Sequence, residues 1–386
     1  MTNEKTRSRL FAIFLVLGLV AAACGSTADT ATGSDGAGDG DAGGADAADC
    51  ETVDQVSLQL QWFAQSQFAG YYAALDQGIY ESRCLDVTIL EGGVDIVPQQ
   101  VLATGGADYA ISWVPRVLAS IEEGIDVVNV AQMFQRSGTL QVSFADSGID
   151  GPEDFAGANI GSWGFGNEFE LLAGSRQAGL EPGADFEVVQ QNFDMLALIN
   201  GEIDAAQAMI YNEFAQVLET INPETGELFT QDDLTVINWN DIGTAMLQDA
   251  IWANGERLDD AAYQDQTTRF IAASIEGWAW CRDNGDACVD VVLDNGTTLG
   301  ESHQAWQLNE INALIWPSPD GAGIMPGDFW QQTVDVSVSE GVLSGPPADG
   351  VFTTEFAEAA LELLGDADTT GEGFERIEVT LNEGGE

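Results

Sequence analysis

A pattern of strand, loop and helix occurs twice along the chain. The first copy runs from VSLQLQW into QFAGYYAALDQGIY, and the second runs from ANIGSW into NEFELLAGSRQAGL. Three spaced residues recur at a constant offset of 101 positions, namely Trp62 and Trp163, Phe68 and Phe169, and Gly78 and Gly179. A single pair of identical residues at a given offset arises easily by chance in a chain rich in glycine and alanine. Three pairs at the same offset are harder to explain by chance. The repeat predicts a duplicated α/β unit.

The two copies continue in the same order. The helical PQQVLATG leads through Gly105 and Asp108 into the strand YAISW, and DMLALING leads through Gly201 and Asp204 into AAQAMI, now at an offset of 96. Other apolar runs, LDVTIL and FEVV, add a further strand to each copy. Hydrophobic strands that alternate with helices predict two lobes, each a mainly parallel sheet with helices on both faces.

The boundaries of the two lobes follow from where the repeat breaks. We assign residues 52–142 and 242–386 to a discontinuous lobe I, and residues 143–241 to lobe II. The amphipathic helices after about residue 259 are expected to complete and buttress lobe I. The chain crosses between the lobes twice, and this arrangement predicts a hinge.

Ligands of such folds bind at the carboxyl ends of the parallel strands. In both copies these ends hold aromatic, amide and carboxylate side chains, so two facing edges would form a cleft. The candidate ligand-binding residues are Trp62, Gln67, Tyr71, Trp113, Trp163, Gly166, Asn167, Glu168, Tyr211, Asn212 and Glu213. For each tryptophan, packing within its own lobe is an equally good explanation.

The N-terminus has the pattern of a bacterial lipoprotein signal. Basic residues precede the apolar stretch 10–23, which is too short for a membrane-spanning helix of about 20 residues. Residues 1–23 therefore read as a signal peptide, and Cys24 as the acylated first residue of the mature protein. Ordinary secretion with a free cysteine is the alternative. Residues 24–51 hold the lipidated cysteine and a Gly/Ala/Asp-rich tether that cannot bury enough apolar surface to fold.

The chain carries 64 acidic and 11 basic residues, a formal net charge of −53. Such a surface repels nucleic acid and disfavours polyanionic partners. It is typical of a protein that stays soluble in high salt.

Four further cysteines, Cys50, Cys84, Cys281 and Cys288, form an even set in an exported protein. Three connectivities are possible. The short RDNGDA spacing favours a local Cys281–Cys288 bridge and leaves Cys50 with Cys84. A zinc site lacks support, because His303 is the only histidine.

The segments WFAQSQFAGYYAALDQGIY, LDVTILEGG, GGADYAISW and AMIYNEFAQVLE resemble the family of bacterial substrate-binding lipoproteins for thiamine pyrimidine precursors such as hydroxymethylpyrimidine. This resemblance covers residues 55–255 and implies a type II periplasmic-binding-protein fold. It also implies a monomeric receptor, lipid-anchored to the outer face of the cytoplasmic membrane. The receptor would close on a small heteroaromatic ligand and deliver it to an ABC permease with its ATPase subunits. No cofactor and no metal are expected.

The resemblance also suggests residue roles. Glu213, in YNEF, looks like the acidic residue that reads an aminopyrimidine edge, although a carboxylate here also suits a helix N-terminus. The turn GFGNE, residues 164–168, resembles the glycine-bearing turn that holds a polar ligand tail, and simple helix capping is the alternative. Physical chemistry adds that Trp62 and Trp163 can stack on a flat heterocycle.

Several other functions compete with this one. Riboflavin is the main rival ligand, since a flavin would use the same rings in a wider slot. Sulfonates fit poorly because few arginines are present, although Arg116 and Arg136 could reach the cleft. The family also includes pyrimidine phosphate synthases, whose histidine, lysine-bound cofactor and cysteine-rich motif have no counterparts here. A lipid-anchored adhesion protein would not explain the paired aromatic edges. We therefore expect a receptor and not an enzyme.

Overall fold

Two five-stranded sheets form the framework of the protein. The computed structural model describes residues 50–384. The strands are β1 (Asp54–Gln59), β2 (Leu85–Leu90), β3 (Tyr109–Trp113), β4 (Val127–Gln132), β5 (Thr139–Phe144), β6 (Asn159–Ser162), β7 (Glu187–Gln190), β8 (Ala205–Met209), β9 (Leu234–Asn238) and β10 (Asp249–Asn254). The first sheet has the order β2-β1-β3-β10-β4, and the second sheet has the order β7-β6-β8-β5-β9.

Helices cover both sheets and dominate the C-terminal third. They are α1 (Ala69–Asp76), α2 (Ile79–Ser82), α3 (Pro98–Ala103), α4 (Val114–Glu122), α5 (Phe169–Gln177), α6 (Leu196–Ile199), α7 (Glu213–Leu218), α8 (Trp239–Ile242), α9 (Ala261–Asp283), α10 (Gly285–Asp294), α11 (Glu301–Ile315), α12 (Gly327–Ser339) and α13 (Glu355–Leu364). Short 3₁₀ turns lie at Ser66–Phe68, Pro152–Asp154, Gln231–Asp233 and Glu256–Asp259.

The two sheets have the same topology, as the sequence repeat predicts. Strand β1 is parallel to β2 and β3, and β6 is parallel to β7 and β8. In the other half of each sheet, β10 and β5 run antiparallel to both of their neighbours, so one of the five strands is reversed and each sheet is mainly parallel, as expected. These two strands directly follow the crossings between the sheets. Each therefore starts at the carboxyl ends of the neighbouring strands and runs in the opposite direction. The two-lobed α/β architecture is confirmed.

The crossings lie between β4 and β5 and between β9 and β10. The second sheet begins at Thr139, a few residues before the expected boundary of lobe II. A buried acid on α5 joins the two crossing segments. Glu170 Oε1 accepts hydrogen bonds from Ser137 Oγ (2.8 Å) and from the backbone N–H of Met246 (2.6 Å).

Helix α9 packs closely on α1 because glycines remove side chains at their contact. A Cβ on Gly70 would lie 2.3 Å from the Trp278 ring, and one on Gly277 would lie 2.1 Å from the Gly70 carbonyl oxygen. Trp278 is fully buried in the core of the first sheet. Any larger residue at either glycine would force the helices apart.

Helix α11 contacts the second sheet as well as the first, a contact that the expectation for the C-terminal helices did not include. On one side Gln304 Oε1 accepts from the backbone N–H of Ser66 (2.6 Å), which lies beside the first sheet. On the other side Trp306 packs in the core of the second sheet and donates to the Ile210 carbonyl (2.9 Å). Helix α11 therefore bridges the two sheets.

Both expected disulfides are present. Cys50–Cys84 joins the segment before β1 to the segment before β2, with a Cα–Cα distance of 5.7 Å, and Cys281–Cys288 joins α9 to α10 at 5.1 Å. Cys24 and the signal-peptide and tether predictions up to residue 49 lie outside the described residues. Within residues 50–384, the helices are either too short or too polar to cross a membrane.

Candidate functional site

A cavity of about 410 Å³ lies where the carboxyl ends of the parallel strands of both sheets meet. Each of the six parallel strands β1, β2, β3, β6, β7 and β8 contributes lining residues from its end or from the loop that follows. The lining residues are Gln61, Trp62, Gln65, Gln67, Gly93, Val94, Asp95, Ile96, Trp113, Arg116, Trp163, Phe165, Asn167, Phe193, Met209, Tyr211, Asn212 and Glu213. The volume falls within the range of about 300 to 1,000 Å³ usual for small-molecule sites.

Aromatic rings from both sheets form one wall of the cavity. Phe193, which follows β7, lies between the two indoles, with its ring centroid 5.1 Å from that of Trp62 and 5.9 Å from that of Trp163. Trp62 comes from the first sheet, and Trp163 and Phe193 come from the second. Such rings offer flat surfaces for stacking against a planar ligand.

Glu213 places a buried carboxyl at the second-sheet side of the cavity. It begins helix α7, and its Oε2 accepts from the backbone N–H of Met209 (2.9 Å). Its Oε1 accepts from Asn212 Nδ2 (3.0 Å). Burial raises the pKa of Glu213 above its ordinary value, against the lowering effect of these hydrogen bonds.

A hydrogen-bonded chain links Glu213 to helix α11. Because Asn212 donates to Glu213, its Oδ1 accepts from His303 Nε2 (2.9 Å). His303 Nδ1 in turn meets Glu219 Oε2 at 2.9 Å, and both side chains are buried. The lone histidine therefore holds part of the cavity wall in place without lining the cavity.

A second buried carboxylate, Asp249, lies beneath the first-sheet side. It begins β10 and pairs in register with Trp113. Its oxygens accept from Gln61 Nε2 (2.7 Å), Trp113 Nε1 (2.8 Å) and Gln67 Nε2 (3.0 Å). Burial raises the pKa of Asp249 to about 7, the hydrogen bonds acting in the opposite direction.

One cation faces the cavity. Arg116 lies in the first turn of α4, and within the described residues its guanidinium makes no salt bridge. Partial burial lowers the pKa of Arg116. An acidic or acceptor-bearing part of a ligand can therefore find a partner there.

The geometry can be set beside known proteins. A family model described as NMT1/THI5 like matches residues 65–287, more than half of the chain. The chain belongs to the NMT1/THI5-like family.

Two curated relatives are named as binding proteins. The riboflavin-binding protein RibY of Chloroflexus aurantiacus is 27% identical over 322 residues, which cover 79% of this chain and 86% of the relative. The formylaminopyrimidine-binding protein of Halalkalibacterium halodurans is 24% identical over 256 residues, which cover 64% and 72%.

Solved structures agree on the fold. The aliphatic sulphonate binding protein SsuA of Escherichia coli superposes with a TM-score of 0.57 at 16% identity, covering 76% of this chain and 89% of that chain. At this identity the similarity concerns the periplasmic-binding-protein fold alone.

Most of the residues predicted for the site of this NMT1/THI5-like protein lie together. Those that line the cavity are Trp62, Gln67, Trp113, Trp163, Asn167, Tyr211, Asn212 and Glu213. The sequence pattern predicts their proximity because each lies at or after the end of a strand at the same edge of its sheet, and their role in ligand binding stays a prediction.

Three predicted site residues do not line the cavity. Tyr71 is buried in α1 with its ring against Trp278 at a centroid distance of 5.8 Å, because the helix turns it inward. Gly166 and Glu168 lie in the turn before α5, where Glu168 Oε2 accepts from the Gly166 backbone N–H (2.9 Å). That hydrogen bond stabilises the turn from within, and the Glu168 side chain makes no capping hydrogen bond to α5.

The sequence pattern missed other residues in the cavity wall and behind it. Phe193 and the segment 93–96 follow β7 and β2, the outer parallel strands, and the same strand-end rule applied to FEVV and LDVTIL would have found them. Asp249 was missed because it begins an antiparallel strand. Its signal was a carboxylate at the start of the otherwise apolar DAIWA. Arg136 donates to the Pro317 carbonyl (2.9 Å) and is not among the lining residues.

The described residues contain no cluster of three or more His, Cys, Asp or Glu side chains arranged to hold a metal ion. The described cysteines are all in disulfides.

Proposed function

We propose that this protein is the extracytoplasmic substrate-binding component of an ABC importer, and that it captures a small planar heteroaromatic molecule in the cavity between its two sheets. A thiamine aminopyrimidine precursor is the first candidate ligand. The observation that carries the proposal is the enclosure of one cavity by the rings of Trp62, Trp113 and Trp163 together with the buried carboxyl of Glu213. The name of the Halalkalibacterium relative supports the choice.

The chemistry of Glu213 suits an aminopyrimidine. A carboxylate accepts a hydrogen bond from an exocyclic amine, and a carboxyl with a raised pKa can share a proton with a ring nitrogen. Its Oε2 already accepts from Met209, so Glu213 has a structural role as well. Stacking on the indoles contributes about 0.5 to 1.5 kcal/mol for each ring pair beyond the burial of area.

Riboflavin is the second candidate, and a specific observation favours it. Phe193 joins Trp62 to Trp163 and so makes a wall wider than a single pyrimidine ring needs. The Chloroflexus relative carries the name of a riboflavin-binding protein.

Other functions have less support. Arg116 is the single arginine among the lining residues, which favours neither sulfonate nor phosphate as the main recognised group. The synthase alternative requires a free histidine, whereas His303 is fully buried and engaged by Glu219 and Asn212. An adhesion function does not explain a cavity lined by indole rings.

We further propose that the mature protein begins at an acylated Cys24, is anchored to the outer face of the cytoplasmic membrane, and acts as a monomer that delivers its ligand to the permease and ATPase subunits. The lipoprotein-like residues 10–24 and the tether support this placement. The strongly negative net charge of −53 argues against nucleic-acid partners.

Calorimetric titration tests the ligand. Hydroxymethylpyrimidine, formylaminopyrimidine, riboflavin and an alkanesulfonate are titrated in turn, and saturable binding of one of the first three is expected. A ligand at a hundredfold excess over Kd should also stabilise the fold by about 2.7 kcal/mol. Absence of saturable binding of all three heteroaromatic compounds, or binding of the alkanesulfonate alone, would overturn the proposal.

Variants of Glu213 test the recognition. Glu213→Gln should weaken aminopyrimidine binding roughly tenfold or more, because a hydrogen bond to a charged group is lost. The matched control is Glu168→Gln, since Glu168 lies beside the cavity without lining it. Equal affinities of the two variants would remove Glu213 from the recognition of the ligand.

A further inference from the structure

Three glutamines of the first-sheet side form what we call the glutamine wall: Gln61, Gln65 and Gln67. All three line the cavity, and all are nearly buried, with exposed fractions of 8%, 4% and 4%. A glutamine amide presents donors at one end and an acceptor at the other. The orientation of each amide therefore decides which kind of ligand group the wall can bind.

Asp249 fixes two of these orientations directly. An ionised carboxylate only accepts hydrogen bonds, so the NH₂ groups of Gln61 and Gln67 must point at it, as they do at 2.7 Å and 3.0 Å. The carbonyl of Gln67 is then left to accept from Gln65 Nε2 (2.7 Å). Asp249 thus orients Gln65 indirectly, through Gln67.

The result is a wall of acceptors. Within the described residues, the carbonyl oxygens of Gln61 and Gln65 have no hydrogen-bond donor, although both residues line the cavity. Trp113 cannot substitute for a glutamine in this arrangement, because its indole N–H only donates and is bound to Asp249 at 2.8 Å. Asp249 itself is 2% exposed and does not line the cavity.

We propose, on the basis of the heteroaromatic receptor function given above, that Asp249 is a positioning residue that sets the hydrogen-bonding sense of the glutamine wall, so that the wall selects planar ligands with N–H donors over matched ligands without them. The ligand class is thereby narrowed to heterocycles with an amine or imide N–H on the edge that faces Gln61 and Gln65.

Asp249→Asn is the decisive variant. Asparagine has nearly the same shape but brings an NH₂ group that needs an acceptor. Since Trp113 cannot accept, Gln61 or Gln67 must turn its amide and expose donors to the cavity. A polar site that loses its complementary partner rejects the ligand strongly.

The measurement is the ratio of two affinities at pH 8. One probe pair is 4-amino-5-hydroxymethyl-2-methylpyrimidine and its 4-methoxy analogue, and the other is riboflavin and N3-methylriboflavin. Wild-type protein should prefer the N–H member, and Asp249→Asn should reduce that preference roughly tenfold or more. Asp108→Asn is the matched control, because Asp108 precedes β3 at the opposite edge of the same sheet and binds Ser57.

The pH profile adds a readout that a merely structural role would not change. Protonation of Asp249, whose pKa burial raises to about 7, creates an O–H donor and should mimic the asparagine. The preference of the wild type for the N–H ligand should therefore decrease as the pH is lowered from 8 to 6. The preference of Asp249→Asn should not decrease over this range. The ionisable neighbours of Asp249 are Tyr71 and Tyr211, whose pKa values burial raises well above 10, and Glu213 on the far wall is retained in both proteins.

The outcomes separate the two proposals. Binding of neither pair by the wild type overturns the receptor function and this inference with it. Binding with an unchanged preference in Asp249→Asn overturns the role of Asp249 alone. If Asp249→Asn does not fold, Gln61→Met decides, since removal of that acceptor should lower the preference and an unchanged ratio would refute the acceptor wall.

Discussion

Replacement of Glu170 by glutamine should destabilise the protein at pH 5 but not at pH 7.5. Glu170 is 4% exposed on α5, and its Oε1 accepts from groups on both crossing segments. Its Oε2 has no hydrogen-bond partner within the described residues. Burial raises the pKa of Glu170 from 4.5 to about 8, and the hydrogen bonds from Met246 and Ser137 only partly offset this.

The direction of the pH effect follows from the coupling between protonation and folding. Because the folded-state pKa lies above the unfolded value, the unfolded chain ionises first, and stability present below pH 4.5 is lost as the pH rises toward 8. Each pH unit is worth about 1.4 kcal/mol. Between pH 5 and pH 7.5 the wild type should therefore lose about 3 kcal/mol through this group. Glu170→Gln does not ionise and is spared that loss.

The glutamine also has a cost that does not depend on pH. Its NH₂ group brings two N–H donors to the unpartnered Oε2 position, where the neutral carboxyl has one O–H, and the additional unsatisfied buried donor costs about 1 to 3 kcal/mol. The variant should therefore be the less stable protein at pH 5 and should match or exceed the wild type at pH 7.5.

Urea unfolding followed by tryptophan fluorescence, at constant ionic strength and at both pH values, measures the difference. Glu187→Gln, an exposed change on β7, is the control; it retains Glu170 and should lose stability between the two pH values as the wild type does. A difference between Glu170→Gln and wild type that stays constant from pH 5 to pH 7.5 would refute the reasoning, because Glu170 would then ionise equally in both states.

Three other changes have defined outcomes. Trp163→Leu should lower ligand affinity roughly tenfold in calorimetry, because ring stacking and buried apolar area are lost. Trp280 lies outside the cavity, so Trp280→Leu should leave the affinity unchanged. Equal losses of affinity in the two variants would count against stacking. His303→Leu should destabilise the fold by about 1 to 3 kcal/mol in urea unfolding by leaving the buried Glu219 side chain without its hydrogen-bond partner, and wild-type stability would contradict a stabilising role for that contact. Cys24→Ser should move the protein from the membrane fraction to the soluble fraction, and continued membrane retention would rule out the lipid anchor.

Sequence periodicity was sufficient for the framework of the fold. The register of Trp62 with Trp163 marks two equivalent strand ends, β1 and β6, because a duplicated unit repeats its turn at the same distance from its strand. The pairing of Cys281 with Cys288 followed from their short spacing. These features are local, and local features are encoded by neighbouring residues.

The sequence also predicted much of the cavity, because parallel strands end at one edge and their following residues must share it. The rule failed for Tyr71, whose helical position turns its ring toward Trp278. It could not reach Asp249, since β10 enters the first sheet in the opposite direction after all five strands of the second sheet have intervened in the chain.

The amino-acid sequence by itself determined the duplicated strand order, the disulfides and the composition of both cavity edges. Only the tertiary structure decided that α11 bridges the sheets through Ser66 and Ile210, and that Asp249 orients the glutamine wall. The physical reason is that hydrogen bonds between residues far apart in the chain depend on how the sheets and helices pack, and periodicity within a single segment carries no information about that packing.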